Sequence, residues 1–437
     1  MASYKNILSA WVLAHVMYIV AVFTLFLNYE NLKGDISLET VLIIISSIVF
    51  IGIGELFVRN VYFKKNQKYY YPSSFELTTI PITKNKFVFS IVIMTLVCIY
   101  DFYSFNVVGS YMGGSDFASK YLLIRSAEVS VSNGGEQDFP SVPFGLPMAY
   151  LEFFVRILAY FYIFIFLYHK TFKIKNQYRS NYKNLIPVLI YLPICFFTLS
   201  RSIFINLFET FGVIYFIMLK QSKHQWNNTK SNLTILKKGA GLIAVFFLIF
   251  AFVGTFKDSD VSEDVNGTLT AYAGAGIYGL DEYMKGKYGK DSDYLGQNTL
   301  SNMYIILNKF GFNYEMPRYH NEPYVWGKHG EVSNIVSSPF YLLIDYPLPV
   351  VLFIYFLLGA MYSFFMNALK FGVFKIKDFD GYVISAMVYY SVFMIAITEE
   401  FHHNLGSVFV YSIICVYIIK HYFITKPMKV FWIKQNL

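Results

Sequence analysis

Apolar runs long enough to cross a bilayer recur along this chain, and they restrict its fold more than any other feature. Ten can be marked, at 7–27, 38–58, 87–107, 148–168, 185–200, 202–219, 239–256, 347–367, 381–398 and 404–424. A helix of about 20 apolar residues spans a hydrocarbon core of about 30 Å. Inside lipid the backbone must satisfy its own hydrogen bonds, so such runs are read as helices. Only 15% of the 437 residues are charged, against about 25% in a soluble domain. The expected fold class is an all-α integral membrane protein with ten transmembrane helices and one large extracytoplasmic loop domain. The first run resembles a signal peptide, but it is long for one and lacks a small-residue cleavage site, which predicts an uncleaved first helix.

The net charge of +8 marks topology rather than nucleic-acid affinity. Basic residues near span ends stay cytoplasmic. Loops 59–86, 169–184, 220–238 and 369–380, the tail and Lys5 together hold 24 of the 36 basic residues. On the opposite face, loops 28–37, 108–147, 257–346 and 399–403 carry more acids than bases. The bias and the even number of spans both place the N- and C-termini in the cytoplasm. Three parts follow. Residues 1–256 carry seven spans with an outer loop at 108–147, residues 257–346 form the large extracytoplasmic loop, and residues 347–437 carry three spans and a cytoplasmic tail. The stretch 335–346 is too short to span and is expected in the interface or as a re-entrant half-helix. No internal repeat is visible, which weighs against a secondary transporter.

Ionisable groups within spans are costly and mark function by default. Arg201 stands in the Ser200-Arg201-Ser202 turn between the fifth and sixth spans, on the outer face. Its bland alternative is snorkelling to headgroups. Arg156 lies in the fourth span with Glu152 one turn above it. That i,i+4 spacing puts both on one helix face, either as a neutral pair or with Arg156 left for phosphate. Asp101 and Glu209 are lone acids, expected to be satisfied by neighbouring spans. Arg125 is the sole arginine of the first long outer loop, in a short amphipathic segment.

Residues 257–336 hold eleven acids, seven basic residues and nine tyrosines. Within them 268–288 read as a short helix of small residues and tyrosines, and 296–310 as an amphipathic helix. The rest packs Arg318, His320, Glu322, Trp326, His329 and Glu331 into fourteen residues. Tyr319, Tyr324, Trp326 and Asn334 suit sugars, whose ring C–H faces are apolar and whose rims hydrogen-bond. The alternative is a folded cap with these aromatics as its small core. Histidine titrates where a general base is most useful. His320 therefore ranks first as a base and His329 second, with Glu399 or Glu400 beside His402 and His403 as carboxylate substitutes.

Other patterns carry little. Cys98, Cys195 and Cys415 lie far apart in apolar runs, with neither disulfide nor zinc spacing. Asp258-Ser259-Asp260 and Asp291-Ser292-Asp293 have the DxD form of metal-dependent glycosyltransferases, but tripeptides this short arise by chance in an acidic loop. No metal and no cofactor is expected. The Gly274-Ala275-Gly276 stretch with Gly279 mimics a dinucleotide fingerprint, yet no strand precedes it.

Several of these features together resemble the Wzy-type oligosaccharide repeat-unit polymerases, the O-antigen and capsular polysaccharide polymerases of bacterial membranes. They are the span count, the Ser200-Arg201-Ser202 turn, Arg125 in the first long outer loop, and the large outer loop before the last spans. The loop's exit is also similar, in Glu331-Val332-Ser333-Asn334 and the close Tyr341-Leu342-Leu343-Ile344-Asp345-Tyr346. The family usually has glycine after that aspartate–aromatic pair, where this chain has Pro347. His320-Asn321 is similar to the His-Asn of the related O-antigen ligases. The resemblance implies a metal-independent glycosyltransferase in the bacterial cytoplasmic membrane. It would transfer a growing glycan from undecaprenyl diphosphate to the non-reducing end of a new lipid-linked unit. Arg201, Arg125, Arg318 and Arg156 would bind the diphosphate. Implied partners are the lipid-linked oligosaccharide, membrane lipid, and a flippase and chain-length regulator of the same pathway. An O-antigen ligase-like or other polyprenyl-dependent transferase is the alternative within the class, and a lipid-linked oligosaccharide flippase the alternative outside it.

Overall fold

The computed structural model describes residues 9–63, 67–132, 140, 142–174, 181–198, 201–226, 270–287, 291–314, 324–333, 335–400 and 407–425. Its helices are α1 (Ala10–Leu27), α2 (Leu38–Val61), α3 (Lys84–Tyr111), α4 (Phe117–Ser132), α5 (Gly145–Thr171), α6 (Leu185–Phe197) and α7 (Arg201–Ser222). They continue as α8 (Ala275–Met284), α9 (Ser301–Lys309), α10 (Ser338–Asp345), α11 (Leu348–Phe371), α12 (Phe379–Phe393) and α13 (Ser407–Ile419). The strands are a two-residue antiparallel pair, β1 (Tyr324–Val325) and β2 (Val332–Ser333), with Tyr324 opposite Ser333. Among the described residues, six helices are long and apolar enough to cross a membrane: α1, α2, α3, α5, α7 and α11. The expected span at 239–256 lies outside the described residues.

Local chemistry sets the helix starts. Ser9, Ser37 and Thr83 cap α1, α2 and α3 by accepting from the amides of Val12, Thr40 and Lys86, which satisfies donors that the first helical turn leaves open. Pro347 fixes φ at −65° and its carbonyl accepts from Val350 and Val351. The proline that stands where the resembled family has glycine thus opens α11.

Burial separates the helices by role. In α5 nearly every residue from Val155 to Tyr168 is buried, and it packs against α3, α6, α7, α12 and α13. A helix apolar on all sides belongs inside. By contrast α1 leaves Phe23 57% and Phe26 72% exposed. Such faces are a liability in water but suit acyl chains. Helices α2 and α11 cross at glycines. A Cβ on Gly54 would fall inside van der Waals contact of the Phe356 carbonyl oxygen, and one on Gly359 would meet that of Ile51. Small residues that admit backbone-to-backbone approach are the means by which helices associate in lipid.

The connections sort onto two ends of the bundle. At one end, Lys33 N donates to Trp326 O, Lys328 N to Asn31 O, and Ser338 N to Ile395 O. These bonds gather 28–37, the 270–346 region and the 395–400 turn into a cap. At the other end, Tyr70 N donates to Lys370 O, Tyr168 Oη to Thr78 O, and Lys86 Nζ to Phe423 O, while Lys420 pairs with Asp380 at 2.7 Å. The lysine-rich loops therefore share one end, as the charge pattern predicts.

The cap is assembled around α8, whose residues Ala275 to Glu282 are all buried. Its small residues are contact points. A Cβ on Gly276 would lie 2.7 Å from Ala396 O, and one on Gly279 would lie 2.8 Å from Tyr324 Cζ. The false nucleotide fingerprint is a packing surface. Asp281 accepts from Ser37 N at 2.7 Å and Thr40 Oγ1 at 2.9 Å and pairs with Lys285, tying α8 to the start of α2. The ambiguous 335–346 stretch contains α10, with Phe340, Leu342, Ile344 and Asp345 buried. It lies within the cap, packed on α8 and α11.

Candidate functional site

Helix α5 carries Glu152 and Arg156 on one face, yet each has a partner on another helix. Glu152 shares a hydrogen bond with Asp101 of α3. Arg156 Nε donates to Tyr191 Oη of α6 at 3.3 Å, and its guanidinium lies 5.0 Å from the centre of the Phe153 ring. One turn further, Tyr160 Oη donates to Asn206 Oδ1 of α7 at 2.8 Å. Thr210 Oγ1 reaches Asn206 at 3.4 Å and Glu209 at 3.5 Å. Tyr390 of α12 stands within electrostatic range of Arg156, Tyr160, Glu209 and Glu400. Polar groups from five helices thus meet. At 1.5 Å per residue, Asp101, Glu152, Arg156 and Glu209 lie about 11–17 Å in from the cap ends of their helices. Asp101 Oδ2 and Glu209 Oε1 are buried with no hydrogen-bond partner among the described residues, an arrangement that is costly unless a proton or ligand completes it.

Glu399 and Glu400 follow on the turn after α12, with Glu400 within electrostatic range of Tyr390. Glu399 is buried. Burial first, and the charge of Glu399 second, push the Glu400 carboxyl up to about 8. Tyr341 of α10 shares a hydrogen bond with Thr398, and burial followed by the charge of Glu400 raises its phenol. A carboxyl that titrates near neutral pH can take a proton from a sugar hydroxyl and give it up again.

The backbones of Arg125 and Arg201 lie toward the cap end of the bundle. Helix α4 lies over the end of α6, with Phe117 stacked on Phe196 at 5.7 Å and Tyr121 and Ile124 packed beside Phe196 and Phe197. Arg125 follows Ile124, and Arg201 opens α7 just after α6. Their backbone positions therefore converge on the end of α6, the helix whose Tyr191 holds Arg156. The side chains of Arg125 and Arg201 are outside the described features.

No protein-family model, curated protein or solved structure matches this chain. The chemistry of the site rests on its own residues.

The remaining candidates fall elsewhere. Tyr324 is 6% exposed and Trp326 2%. Tyr324 Oη donates to the carbonyls of Ala275 and Ile335, and the amide of Trp326 to Glu331 O. Both rings brace the hairpin over α8 and turn no open face to a sugar, the small-core alternative of the sequence reading. His329 is exposed at the hairpin tip, its amide bonded to Glu331 Oε2 at 3.0 Å. Arg318, Tyr319, His320, Asn334, His402, His403 and the 258–260 DxD lie outside the described residues. In the other DxD, Asp291 accepts from Tyr283 Oη at 2.7 Å, while the Asp293 amide donates to Gln297.

Asp345, from the loop's aspartate–aromatic close, is 4% exposed. It accepts from Ser292 Oγ, from Asn298 N and Nδ2 at 3.1 and 3.0 Å, and from Thr299 N and Oγ1 at 2.6 and 2.7 Å. Its visible work is to clasp the 292–299 turn to α10. Sequence reasoning missed Tyr191, Asn206 and Tyr390. The signal for Asn206 was present, since it stands with Glu209 and Thr210 in an otherwise apolar helix.

Proposed function

We propose that this chain is a metal-independent membrane glycosyltransferase of the repeat-unit polymerase type. It acts on undecaprenyl-diphosphate-linked oligosaccharide at the outer face of a bacterial cytoplasmic membrane, with the cap outside and both termini inside. The observation that carries this reading is Glu400, a half-buried carboxyl pushed up to about 8 by desolvation and the charge of Glu399, whose neighbour Tyr390 also stands within electrostatic range of Arg156. An acceptor hydroxyl gives its proton to the Glu400 carboxylate as its oxygen forms a bond to the anomeric carbon of the growing glycan. The bond from that carbon to the diphosphate breaks, and undecaprenyl diphosphate leaves with the electron pair. Arginine forks match diphosphate charge by paired hydrogen bonds. Arg156, with Arg125 and Arg201 around the end of α6, is assigned that role.

One observation favours a second reading. Asp101, Glu152, Glu209, Glu399 and Glu400 outnumber Arg156 among the described charges of the cluster, and buried carboxylates of this kind serve as proton relays in carriers. A proton-coupled flippase for the same lipid-linked glycan is therefore the rival. The two separate in one experiment on purified protein, supplied with lipid-linked repeat unit in detergent and in proteoliposomes. A polymerase yields a ladder in detergent, with or without EDTA, and loses it in Arg201→Lys as well as Arg201→Ala. A flippase makes no ladder and moves the lipid-linked unit across the vesicle membrane in response to a pH gradient.

A further inference from the structure

Three tyrosines of the cap pack ring to ring outside the polar cluster. Tyr294 precedes α9, Tyr304 lies on it, and Tyr314 returns beside it. Ring centres are 4.8 Å apart for Tyr294–Tyr304 and for Tyr304–Tyr314, and 5.5 Å for Tyr294–Tyr314. Phe312 stacks on Tyr314 at 6.1 Å. This is not a core, because Phe312 is 52% and Tyr314 36% exposed. The group is nevertheless held. Asn308 accepts from Tyr314 N at 2.8 Å and donates to Tyr314 O at 2.9 Å. Gly311, at φ +94°, makes the turn between them, and Tyr304 Oη donates to Leu295 O at 2.6 Å. From the other side the Asp345 clasp fixes the 292–299 turn. Rings already held lose little freedom when a ligand arrives.

Its location ties this surface to the site. Tyr346, whose hydroxyl lies 3.0 Å from Thr299 Oγ1, stands within electrostatic range of Tyr304 on one side and Glu399 on the other. The aromatic surface and the Glu399 turn therefore share Tyr346 as a common neighbour.

We propose that Tyr294, Tyr304, Phe312 and Tyr314 form a stacking subsite for the glycan of the lipid-linked oligosaccharide, an assignment that rests on the lipid-linked-sugar reading above. The C–H face of a pyranose is apolar and slightly positive, and an aromatic face is its electrostatic complement. The tyrosine hydroxyls meet the polar rim. A membrane headgroup is the competing occupant, since aromatic side chains also settle at interfaces. Asp291 and Asp293 lie just ahead of Tyr294 in the chain, and acids there are unlike the basic clusters that draw anionic lipid.

The test places the photo-crosslinker p-benzoylphenylalanine at position 312 of the full chain in its native host, with a second probe at Phe26 on the lipid-facing side of α1 as control. The expected adduct at 312 carries carbohydrate, which mild acid frees from lipid by cleaving the sugar–diphosphate bond, while the control captures phospholipid. Tyr304→Ala and Tyr314→Ala should each weaken capture about two- to twelvefold, the loss of one aromatic contact. Phospholipid at 312, or no adduct there beside a productive control, overturns the subsite. Carbohydrate captured by a chain that forms no polymer from purified substrate keeps the subsite and removes the polymerase reading. Polymer formed without any carbohydrate adduct does the reverse.

Discussion

Replacing Asp345 by alanine should loosen the 292–299 turn before anything else in the cap. The carboxylate is 4% exposed and accepts from two backbone amides, Asn298 N at 3.1 Å and Thr299 N at 2.6 Å. It also accepts from the side chains of Ser292, Asn298 and Thr299. Hydrogen bonds to a charged group contribute about 1.5–3 kcal/mol each, but they cannot be summed, because they share one acceptor group and its burial costs several kcal/mol. With the charge and its acceptors removed together, the net local loss should be about 3–5 kcal/mol, set mainly by the two amides left without partners. Hydrogen exchange at Asn298 and Thr299, measured in nanodiscs, should therefore quicken by about 10²–10⁴-fold. Asp345→Asn, which keeps one acceptor oxygen, should fall between. Tyr346→Phe, which removes the hydroxyl's contact to Thr299 and leaves the Asp345 carboxylate in place, should change exchange by less than about tenfold. Wild-type exchange in Asp345→Ala would refute the clasp. Normal exchange together with lost activity would move Asp345 into the chemistry.

Other outcomes follow from the same geometry. If Glu400 is the base, activity rises with pH through about 8, because only the carboxylate accepts a proton. Glu400→Gln should cost about 10²–10⁴-fold in rate; an acidic limb that persists in that variant excludes the assignment. Stability runs the other way. The folded-state value lies above the ordinary 4.5, so this contribution is whole below 4.5 and is lost as pH rises through about 8, a slope that Glu400→Gln should flatten in thermal melts. Gly359→Ala must push α11 off the Ile51 carbonyl, costing about 1–3 kcal/mol or more. Gly145→Ala, whose Cβ would meet nothing nearer than Tyr100 Oη at 4.0 Å, should melt like the parent. For orientation, an impermeant thiol reagent on intact cells should label Met303→Cys in the cap and spare Ser73→Cys at the lysine-rich end; the reverse pattern would invert the topology.

Length and polarity along the chain were enough to place the six long apolar helices, because a run of about 20 apolar residues has few other fates. They also told which loops share an end, since lysines near span ends sort by side. The i,i+4 spacing of Glu152 and Arg156 was legible for the same local reason. What was not legible is what those residues meet. Glu152 finds Asp101 and Arg156 finds Tyr191, on helices whose sequence positions say nothing of which faces will touch. That the glycines of α8 are no nucleotide loop was legible from the missing strand, but that Ala396 and Tyr324 pack against them was not. Tyr324 and Trp326 read as sugar platforms but are buried, while Phe312 and Tyr314 are exposed. Composition ranks aromatic residues alike, and only packing decides which of them are spent on the core. Glu400 owes its raised pKa to burial beside Glu399. The desolvation of a carboxyl is a property of everything folded around it, and no local stretch of sequence contains it.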